Sequence, residues 1–192
     1  MSLPIILVSN SNTKLELLKR VDVVPDQIIT QNITLVEKKS EKPHQFVTRI
    51  SKERAELVAA EFQEGIIVVI DTIVVCAGKM LKEAKDEAEV RQYLQLLSGR
   101  RHRIYSAVTV IRKQNGHTKT SNRLVTSVVK FKRLSPKEIE FFCSTQQGIG
   151  KLAGYSVPGY AEYFISYMSG SFSNIYGAPL YETKLLIDAN LY

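Results

Sequence analysis

The chain has 192 residues, 44% of them hydrophobic, with a formal net charge of +7. That length closes a full core and fits a single globular domain over residues 1–192, with room for two lobes. No apolar stretch approaches twenty residues, and Leu3 to Val8 is too short and lacks the basic lead of a signal peptide, so a soluble, unprocessed protein without a membrane span is expected.

The two cysteines, Cys76 and Cys143, lie far apart without metal-ligand spacing. They read as packing residues, which fits a reducing, cytoplasmic setting. The charge is unevenly spread. Between Gly99 and Lys137 there is no Asp or Glu, while Arg100, Arg101, Arg103, Arg112, Lys113, Lys119, Arg123, Lys130, Lys132 and Arg133 are all cationic. Such a field attracts polyanions: nucleic acid, a nucleoside triphosphate or an acidic surface. The bland alternative is a solvated strand face, because Lys130 and Lys132 alternate with Val129 and Phe131 as an outward polar row would.

In chain order, Ile5 to Val8 reads as a strand, followed by the polar stretch Ser9-Asn10-Ser11-Asn12 and a helix from about Lys14 to Arg20. Thr13 and Glu16 have capping-box spacing. A strand, polar loop and helix in this order present free backbone N–H groups and a positive helix end to an anion. Lys14 in the first turn fits that role, because a cation there is unfavourable for the helix itself.

Pro43 to Phe62 has a helical pattern with Phe46, Ile50, Leu57, Val58 and Phe62 apolar, and Arg54 interrupts the stripe. Arg54 either snorkels to the rim or points into a polar site. The run Ile66 to Ala77, rich in Val and Ile, reads as a strand buried on both faces, with Asp71 alone inside it. An ionised carboxylate taken out of water there costs several kcal/mol unless paired. Asp71 is therefore either a structural acid that holds a loop or helix end, or a catalytic group.

Gly78-Lys79 predicts a tight turn into Met80-Leu81-Lys82, a return segment that brings the Lys82 cation within reach of the acid. A helix is predicted from Asp86 to Leu97, stopped by Ser98-Gly99. His102 to Arg112 and Thr118 to Lys132 alternate as strands around Asn115-Gly116, a strong hairpin signal. Ser135-Pro136-Lys137-Glu138 opens a helix with cap, proline and acid in position. From Ala153 to Tyr181 only Glu162 is charged, and six of the nine tyrosines and four glycines fall there. This stretch reads as strands and loops against the sheet, lining a cleft or a subunit interface, and a last helix runs from Tyr181 to Ala189.

Several chemistries are set aside. The segment ending in Gly150-Lys151 has Thr145 where a P-loop needs glycine and Leu152 where it needs a hydroxyl. No Gly-x-Ser-x-Gly elbow is completed, and His44, His102 and His117 have neither triad nor zinc spacing. A metal here would be a hard cation held by carboxylates and phosphate oxygens.

Six segments, in order, resemble the Maf family of nucleoside triphosphate pyrophosphatases, which shares a fold with the inosine triphosphate pyrophosphatases. The family's Ser-x-Ser-Pro-Arg-Arg-x-Glu-Leu-Leu is similar to Ser9-Asn10-Ser11-Asn12-Thr13-Lys14-Leu15-Glu16-Leu17-Leu18, and its Arg-Leu-Ala-x-x-Lys-Ala helix to Arg49 through Ala55. Its Ala-Asp-Thr-Val-Val strand is similar to Ile70-Asp71-Thr72-Ile73-Val74, and its Gly-Lys-Pro segment and Leu-Ser-Gly-x-x-His ending to Lys82-Glu83 and Leu97 to His102. Ala153 to Gly159 and Gly170 to Leu180 follow the family too.

The resemblance implies an α/β fold, one domain of two lobes around a central mixed twisted sheet flanked by helices, with a nucleotide in the cleft. It implies hydrolysis of the α–β phosphate bond of a nucleoside triphosphate to monophosphate and pyrophosphate. Asp71 would be general base and metal ligand for Mg²⁺ or Mn²⁺; Lys14, Arg54 and Lys82 would neutralise phosphate charge. Ser9, Ser11 and Thr13 would hold the substrate, and Thr13, Thr72 and Pro158 stand where the family sets base choice, Thr72 resembling the branch that acts on dTTP and UTP. A homodimer fits the resemblance and the tyrosine-rich region. Thr13 and Lys14 replace two arginines, Arg54 a lysine and Pro158 a glutamine, and Glu37 stands near the family's acidic pair. These departures motivate a second reading, a nucleotide-binding protein without turnover that acts through partners. A third, nucleic-acid binding by the basic region, is disfavoured by its few aromatics and lack of a recognisable motif.

Overall fold

In the computed structural model, residues 3–31 and 36–191 are described. The strands are β1 (Ile5–Val8), β2 (Gln27–Ile29), β3 (Gly65–Cys76), β4 (Lys79–Leu81), β5 (Arg101–Gln114), β6 (His117–Phe131) and β7 (Ile165–Ser169). The helices are α1 (Asn12–Lys19), α2 (Pro43–Ala59), α3 (Glu87–Leu97), α4 (Pro136–Ser144), α5 (Phe172–Tyr176) and α6 (Leu180–Leu191), with a 3₁₀ turn at Tyr160–Phe164. The seven strands form one sheet in the order β2-β1-β3-β5-β6-β7, with β4 also paired to β3. β1 is parallel to β2 and β3, whereas β3–β4 and β6–β7 are antiparallel. The fold is thus the mixed α/β sheet with flanking helices that the family resemblance implies. The chain divides into two compact units, Met1–Thr72 with Ser106–Val125 and Gly177–Tyr192, and Ile73–Tyr105 with Thr126–Tyr176.

In the first unit the apolar stripe of α2 explains its placement. Ala55, Val58 and Ala59 pack on Ile6 and Val8 of β1, Ile67 and Val69 of β3 and Ile111 of β5, all buried. Because strand side chains alternate, the odd positions of β3 face α2. A buried polar link adds direction to this packing. Ser51 on α2 meets Thr109 Oγ1 at 2.7 Å and donates to the Ala107 carbonyl at 3.2 Å, and Asn122 Nδ2 donates to Thr109 Oγ1 at 2.7 Å.

The second unit has its own core. Val90, Leu94 and Leu97 of α3 and Ile139, Phe142 and Cys143 of α4 pack with Val129, Phe131 and Phe164. Phe131 stands edge-on to His102, Tyr155 and Phe164. His102 Nε2 meets the Tyr155 hydroxyl at 2.7 Å, and burial lowers the imidazole pKa to about 4. Both cysteines are buried and free.

Several boundaries differ from the sequence reading for identifiable reasons. α1 begins at Asn12 with Ser11 as its cap, in extended conformation, its hydroxyl accepting from Lys14 N at 3.4 Å. Thr13 is already inside the helix, so it cannot cap it. The tight turn after β3 is Ala77-Gly78, both at positive φ, with Lys79 already in β4. α2 ends at Ala59, where the Lys113 ammonium donates to the carbonyls of Ala59 and Phe62. The glycine-rich C-terminal stretch holds a 3₁₀ turn, β7 and α5 where strands and loops are expected from its composition. Ile33 to Leu35 of the sought acidic segment lie outside the described residues, and Glu37 is exposed.

The hairpin at Asn115-Gly116 and the Ser135 capping box match the sequence reading, as does the buried Val129 and Phe131 row. The basic residues find local uses. Lys113 caps α2, Arg100 donates to the Leu96 carbonyl near the end of α3, Lys119 to the Ala189 carbonyl near the end of α6, and Lys132 pairs with Glu138. Cations at helix carboxyl ends meet orphan carbonyls and the negative end of the dipole. No helix among the described residues is long and apolar enough to cross a membrane.

The buried neutral His102 predicts an acid-linked loss of stability. The imidazole binds a proton at its ordinary value of 6.5 when unfolded and only near 4 when folded. Its contribution is therefore complete above pH 6.5, falls as pH drops toward 4 and levels off below, by roughly 3 kcal/mol in all. Guanidinium unfolding at stepped pH should show this decline for the wild type, and His102→Gln should remove that part of the pH dependence.

Candidate active site at the carboxyl end of β1

The strand order fixes where a site can form in the first unit. β1 lies between β2 and β3, both parallel to it. The crossover through α1 runs from β1 out to β2, and the one through α2 returns from β2 past β1 to β3, so the two run in opposite directions and cover opposite faces. The packing agrees: Ile6 and Val8 face α2, whereas Leu7 and Ser9 line a small cavity of about 140 Å³ with Leu15 of α1 and Ile28 of β2. In open sheets the crevice outside the carboxyl end of such a strand is the usual ligand position.

Pairing of β1 with β3 ends at Val8 opposite Val69, so β3 runs on past the end of β1. Asp71 sits on that overrun, with 7% of its surface exposed. Its Oδ1 accepts from Arg54 at 2.8 Å. Its Oδ2 is buried with no hydrogen-bond partner among the described residues. Lys14 reaches over from α1 and its ammonium donates to the Ile70 carbonyl at 2.5 Å. The carboxyl pKa is held above its ordinary value of 3.8, with burial raising it and the nearby Lys14 and Arg54 charges lowering it. The result is a carboxylate with one oxygen committed and one unpaired, basic for its type.

The loop before α1 is ordered by its own serines. The buried Ser9 accepts from Ser11 N at 3.0 Å and its own N–H donates to the Ile29 carbonyl at 3.0 Å. Ser11 caps the helix, leaving the N–H groups of Asn12 and Thr13 ahead of the first full intrahelical bond. Thr13, half-buried, faces Gly177, where an added Cβ would come within 4.0 Å of its methyl group. Thr72 turns away from Asp71, as strand alternation requires, and its hydroxyl meets Ser106 at 2.8 Å.

Of the residues singled out from the sequence, Asp71 and Arg54 are in contact, Lys14 stands against the same strand, and Ser9, Ser11 and Thr13 share one turn. Lys82 and Pro158 belong to the second unit. Lys82 is exposed just after β4, its carbonyl accepting from Ala153 N at 2.9 Å, and Pro158 is exposed beside the buried Val157. Sequence reasoning missed Ser106 and the Ile70 carbonyl. A serine alternating with apolar residues in a strand carries no signal, and a backbone acceptor is invisible in sequence.

Among the described residues, no three His, Cys, Asp or Glu side chains are grouped to hold a metal ion. What exists is the one unpaired oxygen of Asp71. That suits a hard cation carried largely by phosphate oxygens and water, as Mg²⁺ is when a single carboxylate serves it.

The sequence profile of the family described as Maf-like protein matches residues 4–190. A nucleoside triphosphate pyrophosphatase of Rickettsia rickettsii (strain Sheila Smith) is 41% identical over 183 residues, covering 95% of this chain and 85% of the relative. One from Rickettsia felis (strain ATCC VR-1525 / URRWXCal2) is likewise 41% identical, covering 95% and 90%. A solved nucleoside-triphosphatase, dITP/XTP pyrophosphatase, from Mycobacterium abscessus aligns over 97% of this chain and 95% of its own at 13% identity, with a TM-score of 0.42, too loose a likeness to add to the argument.

The Arg54–Asp71 pair predicts an asymmetric response to mutation. Removing the cation leaves a buried charge without its partner, so Arg54→Met should destabilise the fold by about 3 kcal/mol at pH 7. The loss should shrink on acidification, because protonation removes the charge. Asp71→Asn should be milder, and the double variant should recover much of the Arg54→Met loss. Urea unfolding of the three variants at pH 7 and pH 5 checks this.

Proposed function

The chain belongs to the Maf-like protein family, and from that premise we propose that it hydrolyses nucleoside triphosphates at the α–β phosphate bond, giving a monophosphate and pyrophosphate. Residues 1–192 act as one domain in this reading. The observation that carries it is the buried Asp71 carboxylate, held at one oxygen by Arg54, unpaired at the other, and set beside the amino end of α1.

In the reaction, Asp71 Oδ2 takes a proton from water as the water oxygen bonds to a phosphorus flanking the α–β bridge. The bridging bond breaks and its electron pair leaves with the departing phosphate oxygen. Arg54 keeps the carboxylate oriented and ionised in an apolar setting and offers its planar set of N–H donors to a phosphate oxygen. Lys14 adds a second positive charge, and the amino end of α1 supplies backbone N–H groups for another phosphate. A divalent cation, Mg²⁺ or Mn²⁺, held by Asp71 and phosphate oxygens, would supply charge neutralisation on the triphosphate. Lys82 enters as a further phosphate cation, and Thr72 and Pro158 as base-choice positions, on motif resemblance. Thr72 supports dTTP and UTP as preferred substrates, and Thr13 and Pro158 shape that preference away from the family pattern.

The test is pyrophosphate release across dTTP, UTP, CTP, GTP and ITP with Mg²⁺ or Mn²⁺. Asp71→Asn should lower kcat by roughly 10²–10⁴, the usual weight of a general base. Because the carboxyl must be ionised to act and its pKa is raised, activity should climb with pH through a limb above the ordinary carboxylate value of 3.8. Turnover that survives Asp71→Asn at the wild-type rate would remove Asp71 as base. Tight triphosphate binding with no product from folded wild-type protein would favour the binding-only reading, which Thr13 and Pro158 motivate.

A further inference from the structure

The pairing of Thr72 with Ser106 has a directional consequence. The Ser106 side chain is fully buried on β5, and among the described residues its hydrogen bond runs to Thr72 Oγ1, at 2.8 Å. A buried O–H left without an acceptor costs about 1–3 kcal/mol. Ser106 therefore donates to Thr72, because Thr72 Oγ1 is the acceptor within its reach. Thr72 is only half-buried, and with Ser106 donating to it no acceptor among the described residues is shown for its own proton. A hydroxyl has one proton and two lone pairs, and occupying a lone pair from behind leaves it presented as a donor.

We infer that Ser106 is a positioning residue for base selection: it fixes Thr72 as a hydrogen-bond donor, which favours a pyrimidine with a keto oxygen at position 4 over one with an amino group there. The inference rests on the reading of Thr72 as a base contact and adds the residue and the chemistry behind its selectivity. Arg54 does not compete for this role, because it meets β3 from the α2 face, whereas Thr72 and Ser106 occupy alternate positions on the other face. UTP and CTP differ only at position 4 and the adjacent ring nitrogen, so their comparison isolates the effect. A donor suits the 4-keto oxygen of UTP and confronts the amino donors of CTP, and a mismatch of this kind leaves a polar group unpaired.

The experiment reads preference in binding, separately from turnover. Dissociation constants for UTP and CTP are measured on Asp71→Asn, alone and combined with Ser106→Ala, Thr72→Val or both. We expect the parent to prefer UTP, Ser106→Ala to reduce the CTP/UTP ratio of dissociation constants about tenfold, the weight of one hydrogen bond, and Thr72→Val to reduce it as far. Once Thr72 is valine, Ser106→Ala should change the ratio no further, an outcome that general loosening of the strand pair does not produce. Ser106→Thr, which restores the hydroxyl, should restore the preference. A ratio unmoved by Ser106→Ala, a ratio moved equally with Thr72 already replaced, or equal or undetected binding of both nucleotides to the parent overturns the inference. Where Ser106→Ala does not fold, Thr72→Val decides alone, and an unchanged ratio overturns it. Thr72→Val tests the underlying base contact by itself, and pyrophosphate release by the wild-type chain tests the hydrolase reading separately, since the binding ratio is measured without turnover.

Discussion

A carboxylate buried in a Val- and Ile-rich strand is the constraint around which the first unit is arranged. Asp71 cannot be solvated on β3, so its charge must be met from the side. The strand order makes that feasible. With β1 between two parallel neighbours, α1 and α2 reach the end of the sheet from opposite faces, and each delivers one cation, Lys14 and Arg54. The two charges oppose the desolvation without cancelling it, since the carboxyl remains above its ordinary range. Burial thus serves basicity, and pairing keeps the ionised form accessible.

Most of the surrounding polar structure keeps this arrangement in register. Arg54 is one helical turn beyond Ser51, whose hydroxyl is locked to Thr109 and the Ala107 carbonyl on β5. At the start of α2, Arg49 grips Glu41 through two contacts of 2.7 Å and the Val36 carbonyl at 2.9 Å, tying down the chain that leads into the helix. Apolar packing alone tolerates small sliding, whereas buried hydrogen bonds of fixed geometry do not. The guanidinium needs that precision, because its planar donors must meet a carboxylate oxygen in a narrow angular range.

The residues of this site that were legible in the sequence are those that break a pattern. Asp71 interrupts a buried strand, Arg54 an apolar stripe, and Lys14 stands where a helix dipole disfavours it. Each violation has a local energetic penalty, so each signals a compensating partner. Ser106 breaks no pattern, because a small polar residue is ordinary in an alternating strand, and its meaning arises only when β5 lies beside β3. The cap of α1 was misread for a related reason. Thr13 and Ser11 both have capping chemistry, and the choice depends on which residue takes extended dihedrals, as Ser11 does. β2 escaped because three residues, two of them exposed, carry too little periodicity to register. In the Gly- and Tyr-rich C-terminal stretch, composition identifies irregular backbone without distinguishing a 3₁₀ turn from a strand.

The same electrostatics bear on the proposed reaction, in which one acid faces a triphosphate. A triphosphate arriving beside Asp71 brings like charge, which would push an already raised carboxyl pKa higher and draw Arg54 toward phosphate oxygens. Lys14 and Arg54 together offset only part of that charge. In the proposed reaction a divalent cation carried in by the nucleotide would supply the remainder, with the unpaired oxygen of Asp71 as its protein ligand. Replacing a lysine of the family pattern by Arg54 bears on this balance, because guanidinium can serve the carboxylate and a phosphate oxygen through different donors at once. In the same proposed reaction, Thr13 in place of the family's neighbouring arginine acts in the opposite direction: it would remove a charge at the amino end of α1 and leave the backbone N–H groups there to do more of the phosphate binding.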